Sequence, residues 1–126
     1  MSDKKPKIGV VGAGHLGKHH IKHLSNHKGV DFIGVFDINE ESLKNICDEF
    51  SVRPFKSLEE LISLCDAVNI VTPTNTHFDI ARKFLNQMKD VFIEKPITNT
   101  VEEALSLIDL AKTNECILQV GHIERF

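Results

Sequence analysis

Residues 12–27 read GAGHLGKHHIKHLSNH, a stretch that gathers three glycines and five of the chain's seven histidines. Two chemistries compete for it. Gly12, Gly14 and Gly17 satisfy the G-x-G-x-x-G spacing, in which missing side chains permit a tight turn, close approach of a pyrophosphate and close packing of a helix on the preceding strand. The helix opening there would present unsatisfied amides and the positive end of its dipole to phosphate, with His15 in the loop nearby. The competing chemistry is metal binding, because helical histidines four apart can chelate. His19, His23 and His27 form such a series, yet the helix carries no cysteine, aspartate or glutamate to complete a zinc shell. A solvated helix face is the better reading, so no metal site is assigned. Leu16, His20, Ile21 and Leu24 share the side that Gly17 opens toward the sheet, which turns His20 inward.

Asp37 lies twenty residues beyond Gly17, at the end of the next apolar run. A dinucleotide-binding unit places an acid there to accept hydrogen bonds from the adenosine ribose. Its charge would repel a 2′-phosphate, and Ile38 and Asn39 follow it where an arginine would suit NADP. NAD is therefore the expected cofactor. The simpler reading, a plain turn followed by a capping aspartate, explains neither the strand before the glycines nor the helix after them.

Two later motifs carry polar chemistry. Thr72-Pro73-Thr74-Asn75-Thr76-His77 follows an apolar run; its proline bars strand continuation, while its Thr and Asn side chains can cap a helix and face a ligand at the sheet's carboxyl edge. Glu94-Lys95-Pro96 ends another such run. It is either a loop ion pair or a lysine poised at the reacting end of a cofactor. Alternation along an extended chain would point Glu94 and Lys95 apart.

The elements that must position these residues alternate. Ile8–Val11, Asp31–Asp37, Ala67–Val71, Asp90–Glu94 and Cys116–Gly121 are continuous apolar runs, the pattern of parallel strands covered on both faces. Between them, Leu43, Ile46, Cys47 and Phe50 have helical spacing, as do Ala81, Phe84, Leu85 and Met88, and Ala104, Leu105, Ile108 and Ala111. Ser57 with Glu60, and Thr100 with Glu103, fit the capping-box spacing at helix starts. Val52–Phe55 is a weak extra strand that Pro54 pushes to an edge. The predicted fold is α/β, a Rossmann-type, doubly wound, mainly parallel sheet in a single domain over residues 1–126.

Composition agrees with small-molecule chemistry. The chain has 126 residues, enough for one core, and a formal net charge of -3 gives no reason to expect nucleic acid or an anionic membrane as partner. The first apolar run is too short for a signal peptide or a membrane span, which points to the cytoplasm. Cys47, Cys65 and Cys116 are widely spaced and read as small core residues.

Taken together, GAGHLG, Asp37, TPTNTH, EKP and the terminal VGHIERF resemble the amino-terminal half of the glucose-fructose oxidoreductase and inositol dehydrogenase family, over essentially the whole chain. The ending HIERF resembles the branch acting on nucleotide sugars, such as UDP-N-acetylglucosamine at C3. The resemblance implies that Gly12, Ala13, Gly14, His15, Leu16 and Gly17 hold the pyrophosphate. It implies that Asp37 and Ile38 hold the adenosine, and that Thr72, Pro73, Thr74, Asn75, His77 and Glu94 belong to the nicotinamide side. Lys95 would be both cofactor contact and catalytic residue, taking a proton from a sugar hydroxyl as hydride leaves for the nicotinamide. A lysine in that role sheds its proton near neutrality, which burial or a nearby cation favours.

The family's substrate domain is expected to be absent, leaving a fragment that binds NAD, turns over no sugar and exposes apolar surface around Val120–Phe126. Such a surface predicts a homo-oligomer. The alternative is a noncatalytic dinucleotide-binding or sensing module; a metal-binding protein built on the histidine helix ranks last.

Overall fold

The apolar runs become five parallel strands, β1 (Lys7–Val11), β2 (Asp31–Phe36), β3 (Ala67–Ile70), β4 (Asp90–Glu94) and β5 (Leu118–Gly121). Between them run helices α1 (His15–Ser25), α2 (Glu40–Phe50), α3 (Leu58–Leu64), α4 (His77–Asn86) and α5 (Val101–Thr113), with one 3-10 turn at Thr74–Thr76. These elements come from a computed structural model that describes residues 5–121.

Helix starts follow local chemistry. Asn39 accepts the Ser42 amide at 2.9 Å, Ser57 that of Glu60 at 3.1 Å and Thr100 that of Glu103 at 3.1 Å. Each cap is worth about 1 kcal/mol. The box at Ser57 is not reciprocal, because Glu60 reaches back one residue further to the Lys56 amide.

The strand order is β2-β1-β3-β4-β5. Helices α1 and α2 cover one face around β1 and β2, and α3, α4 and α5 cover the other. Each face has its own core: Val10, Ile21, Leu24, Val35, Leu43 and Ile46 on the first, and Leu61, Val68, Ile70, Phe84, Leu85 and Ile93 on the second. Full burial of each such side chain contributes roughly 1.5–3 kcal/mol. The chain reverses direction of travel across the sheet between β1 and β3, which creates the switch-point crevice at their carboxyl ends. On the α1 side the sheet is open beyond β1, where Asn69, Phe92 and Gln119 floor a groove of about 820 Å³.

β2 carries a bulge. Ile8 pairs with Phe32 and Gly9 with Gly34, so Ile33 has no partner across the ladder. The extra residue changes the phase of alternation: Phe32 and Val35 pack toward α1 and α2, Ile33 and Phe36 toward the opposite core.

Several expectations are corrected. Val52–Phe55 forms no strand, only a parallel bridge of Pro54 with Val35, in which the Val35 amide donates to the Arg53 carbonyl and the Phe55 amide to the Val35 carbonyl. Helix α4 stops at Asn86, so Met88 leaves the predicted apolar face; it adopts a left-handed φ of 62° and is 69% exposed. In α5 the buried positions are Leu107 and Ala111, whereas Leu105 and Ile108, expected inside, face solvent with Val101. Strand β5 starts at Leu118 rather than Cys116. Cys47 and Cys65 are buried core residues as expected, and burial pushes the Cys65 thiol up to about 11. No helix among the described residues is long and apolar enough to cross a membrane.

Candidate functional site: the carboxyl edge of the sheet

The glycine loop leaves β1 at Gly12, whose φ of 121° favours glycine and whose Cβ, if it had one, would sit 2.7 Å from the Val71 carbonyl oxygen. A Cβ on Gly17 would collide with the Gly12 carbonyl, so this glycine lets α1 lie against the strand end. Gly14 is different. A Cβ there would meet nothing within 4 Å, which leaves open space above the start of α1.

The amino terminus of α1 is also unlike those of α2, α3 and α5. Those helices have a capping side chain and two acids in the first turn; α1 begins at Gly14 with no side-chain cap and no acid. Orphan amides and an uncompensated positive dipole end thus face the space over Gly14, a fit for a diphosphate. An NAD pyrophosphate suits these donors.

Asp37 stands beside this loop. Its Oδ2 accepts the Ala13 amide at 2.7 Å and its Oδ1 the Asn39 amide at 2.8 Å, fixing the carboxylate between the glycine loop and the start of α2. Remaining lone pairs are free to accept from ribose hydroxyls. Ile38, next to it, is 88% exposed, an apolar surface at the adenosine end.

On the other side of the switch point, the loop after β3 is tied to itself. Thr76 Oγ1 donates to the Pro73 carbonyl at 2.6 Å and receives the Thr72 hydroxyl at 2.6 Å. Pro73 and Asn75 are exposed, with Thr72 and Thr74 half-buried. Lys95 follows β4 with its side chain exposed, and the Lys95–Pro96 peptide is cis. Glu94 and Lys95 do point apart: Glu94 is 5% exposed.

Two residues expected on the nicotinamide side lie beneath it. Glu94 points toward α1, where its Oε2 accepts from His20 Nε2 at 3.1 Å. Asn69 Nδ2 donates to His20 Nδ1 at 3.1 Å, which leaves the ring proton on Nε2. Burial holds the His20 pKa below its ordinary value, against the raising effect of Glu94. His77 opens α4 and is 1% exposed; its Nε2 lies 2.8 Å from the Thr72 oxygen and its Nδ1 3.1 Å from both the Pro96 and Ile97 oxygens. Both residues therefore support the crevice from below.

Sequence reasoning turned His20 inward but missed its partners. Nothing in a periodic pattern links His20 to a carboxylate 74 positions away. The other α1 histidines, His15, His19 and His23, are exposed, as is His27, which lies beyond the end of α1 and so leaves the expected helical series. Among the described residues no three His, Cys, Asp or Glu side chains gather as a metal site. Residues 122–126, most of the VGHIERF ending, lie outside the described residues.

Along the carboxyl edge, then, Asp37 at β2, the glycine loop at β1, the Thr72 loop at β3 and Lys95 at β4 stand in that spatial order. It is the order of ribose, pyrophosphate and second nucleoside in an extended dinucleotide.

The fold and the sequence also have known relatives. UDP-N-acetylglucosamine 3-dehydrogenase of Acidithiobacillus ferrooxidans is 40% identical over 119 residues, 94% of this chain and 37% of the relative. A solved structure of that dehydrogenase, GnnA, superposes with a TM-score of 0.90 at 39% identity, covering 96% of this chain and 38% of the other. GenD2 from gentamicin A biosynthesis, solved in complex with NAD, matches with a TM-score of 0.88 at 27% identity over 94% of this chain and 34% of its own. The chain thus spans little more than a third of the length of these relatives. A family model described as the oxidoreductase family, NAD-binding Rossmann fold, matches residues 6–122, and the chain belongs to that family as its NAD-binding domain.

Proposed function

We propose that this chain is the cofactor half of a dehydrogenase that oxidises a ring hydroxyl of a sugar or nucleotide sugar, with UDP-N-acetylglucosamine at C3 as the specific substrate. The observation that carries the reading is the order of Asp37, glycine loop, Thr72 loop and Lys95 along one sheet edge. The 40% identity to a UDP-N-acetylglucosamine 3-dehydrogenase supports the substrate class.

In this reading the main chain from Gly12 to Gly17, including Ala13, His15 and Leu16, holds the pyrophosphate at the start of α1. Asp37 accepts from the adenosine ribose and Ile38 packs beside the adenine. Thr72, Pro73, Thr74 and Asn75 border the nicotinamide ribose. Bound NAD supplies the hydride acceptor. Lys95 accepts the proton of the substrate hydroxyl, and needs a heavy-atom distance of about 2.6–3.2 Å to do so. Lys95 is exposed among these residues, and in this reading the sugar pocket over it comes from polypeptide outside them.

The 126 residues alone therefore bind NAD and turn over no sugar. The protein works in the cytoplasm as a homo-oligomer. Calorimetric titration with NAD, followed by absorbance at the NADH band with UDP-N-acetylglucosamine present, tests both halves. Absence of NAD binding defeats the cofactor assignment, and NADH formation by this chain alone defeats the claim of inactivity.

A further inference from the structure

Lys95 stands between two buried imidazoles that hold its neighbours in the chain. On one side His20, from α1, bonds the Glu94 carboxylate. On the other His77, the first residue of α4, lies within hydrogen-bonding distance of the Pro96 and Ile97 carbonyls and of the Thr72 carbonyl. His20 thereby joins the lysine strand to the helix that begins at the phosphate loop. His77 joins the lysine turn to the loop bordering the nicotinamide side.

We propose that His20 and His77 are positioning residues for Lys95, fixing the backbone of its turn against the two loops that hold the cofactor. The proposal rests on the reading of Lys95 given above. Neither ring reaches the crevice surface, since each is 1% exposed. An apolar side chain could fill either space, but the polar partners of His77 are backbone oxygens of the two loops, and the carboxylate bonded to His20 belongs to the residue just before Lys95. Proton transfer tolerates little misplacement; an error of about 1 Å costs on the order of a hundredfold in rate. A long flexible lysine side chain meets that demand only if its main chain is fixed.

The test compares NAD with ADP, which carries the adenosine and diphosphate but has no nicotinamide end. His77→Ala and His20→Ala in this chain should weaken NAD about tenfold and leave ADP unchanged within about twofold. His77→Asn, which keeps one donor, should recover part of the NAD affinity. Equal losses for NAD and ADP, or no loss, would overturn the proposal. If the alanine variants do not fold, His77→Leu and His20→Leu, which keep bulk without a polar group, carry the same pair of readings.

Should the unmodified chain bind neither ligand, the NAD reading fails by itself. The positioning role is then judged from amide signals in the free protein. Those of Lys95 and Ile97 should move in the variants while those of Gly12 to Gly17 stay, and unmoved Lys95 and Ile97 signals would overturn it.

Discussion

The Asp37 carboxylate accepts the Ala13 amide at 2.7 Å, across 24 positions of sequence. The acid expected to grip the ribose is thus also a brace for the glycine loop. Asp37→Ala should weaken NAD by about tenfold to a hundredfold, the scale of one or two hydrogen bonds to a charged acceptor. It should also narrow the preference for NAD over NADP. Titration of both cofactors into both proteins checks this, and tighter NADP binding by the unmodified chain would reverse the assignment.

Gly14 and Gly17 separate stability from binding. Gly17→Ala puts a methyl group against the Gly12 carbonyl and should cost about 2–4 kcal/mol of stability. Gly14→Ala meets open space and should leave stability within about 0.5 kcal/mol, while cutting NAD affinity at least about tenfold. Denaturant unfolding and calorimetry on both variants decide it. Unimpaired NAD binding by Gly14→Ala would mean that the diphosphate lies elsewhere.

His20 makes stability depend on pH. Its folded pKa is lowered, first by burial, with His23 and His19 adding to the effect and Glu94 opposing it. The unfolded ring therefore takes up a proton near 6.5, while the folded one resists until lower pH. The contribution is fully present above about pH 6.5 and is lost as pH falls toward the folded value. Urea midpoints at about pH 7.5 and about pH 5.5 should show the decline, and His20→Gln should flatten it. A His20 signal titrating at or above the ordinary value would contradict this.

Val101, Leu105 and Ile108 form an exposed apolar stripe on α5, at i, i+4 and i+7. We expect it to drive self-association of the chain. Light scattering at rising concentration should show species larger than a monomer, and Leu105→Lys with Ile108→Lys should reduce them. A strict monomer in the unmodified chain would count against the oligomer.

The strands were legible because each is a short continuous apolar run, and the glycine loop because its three glycines follow one such run and open a helix. Helix α5 was misread for a physical reason. Apolar residues lie on two of its faces, and only the packing of Leu107 and Ala111 against the second core shows which one is buried. The end of α4 was missed because Met88 fits the helical period, although its left-handed backbone has already left the helix. Within the site, Asp37 and Lys95 stand at the strand ends where spacing put them. The buried partners of Glu94 and His77 were not readable, because they are set by the topology of the sheet.

The unpaired Ile33 in β2 sets which way Asp37 faces. Past it, Val35 packs toward α1, and Asp37, two residues on, meets Ala13 on that side. Removing one residue at this point would barely alter composition or hydropathy, yet would turn Asp37 to the opposite face of the sheet, away from the Ala13 amide. The hold of Asp37 on the glycine loop is thus a matter of reading frame along a strand.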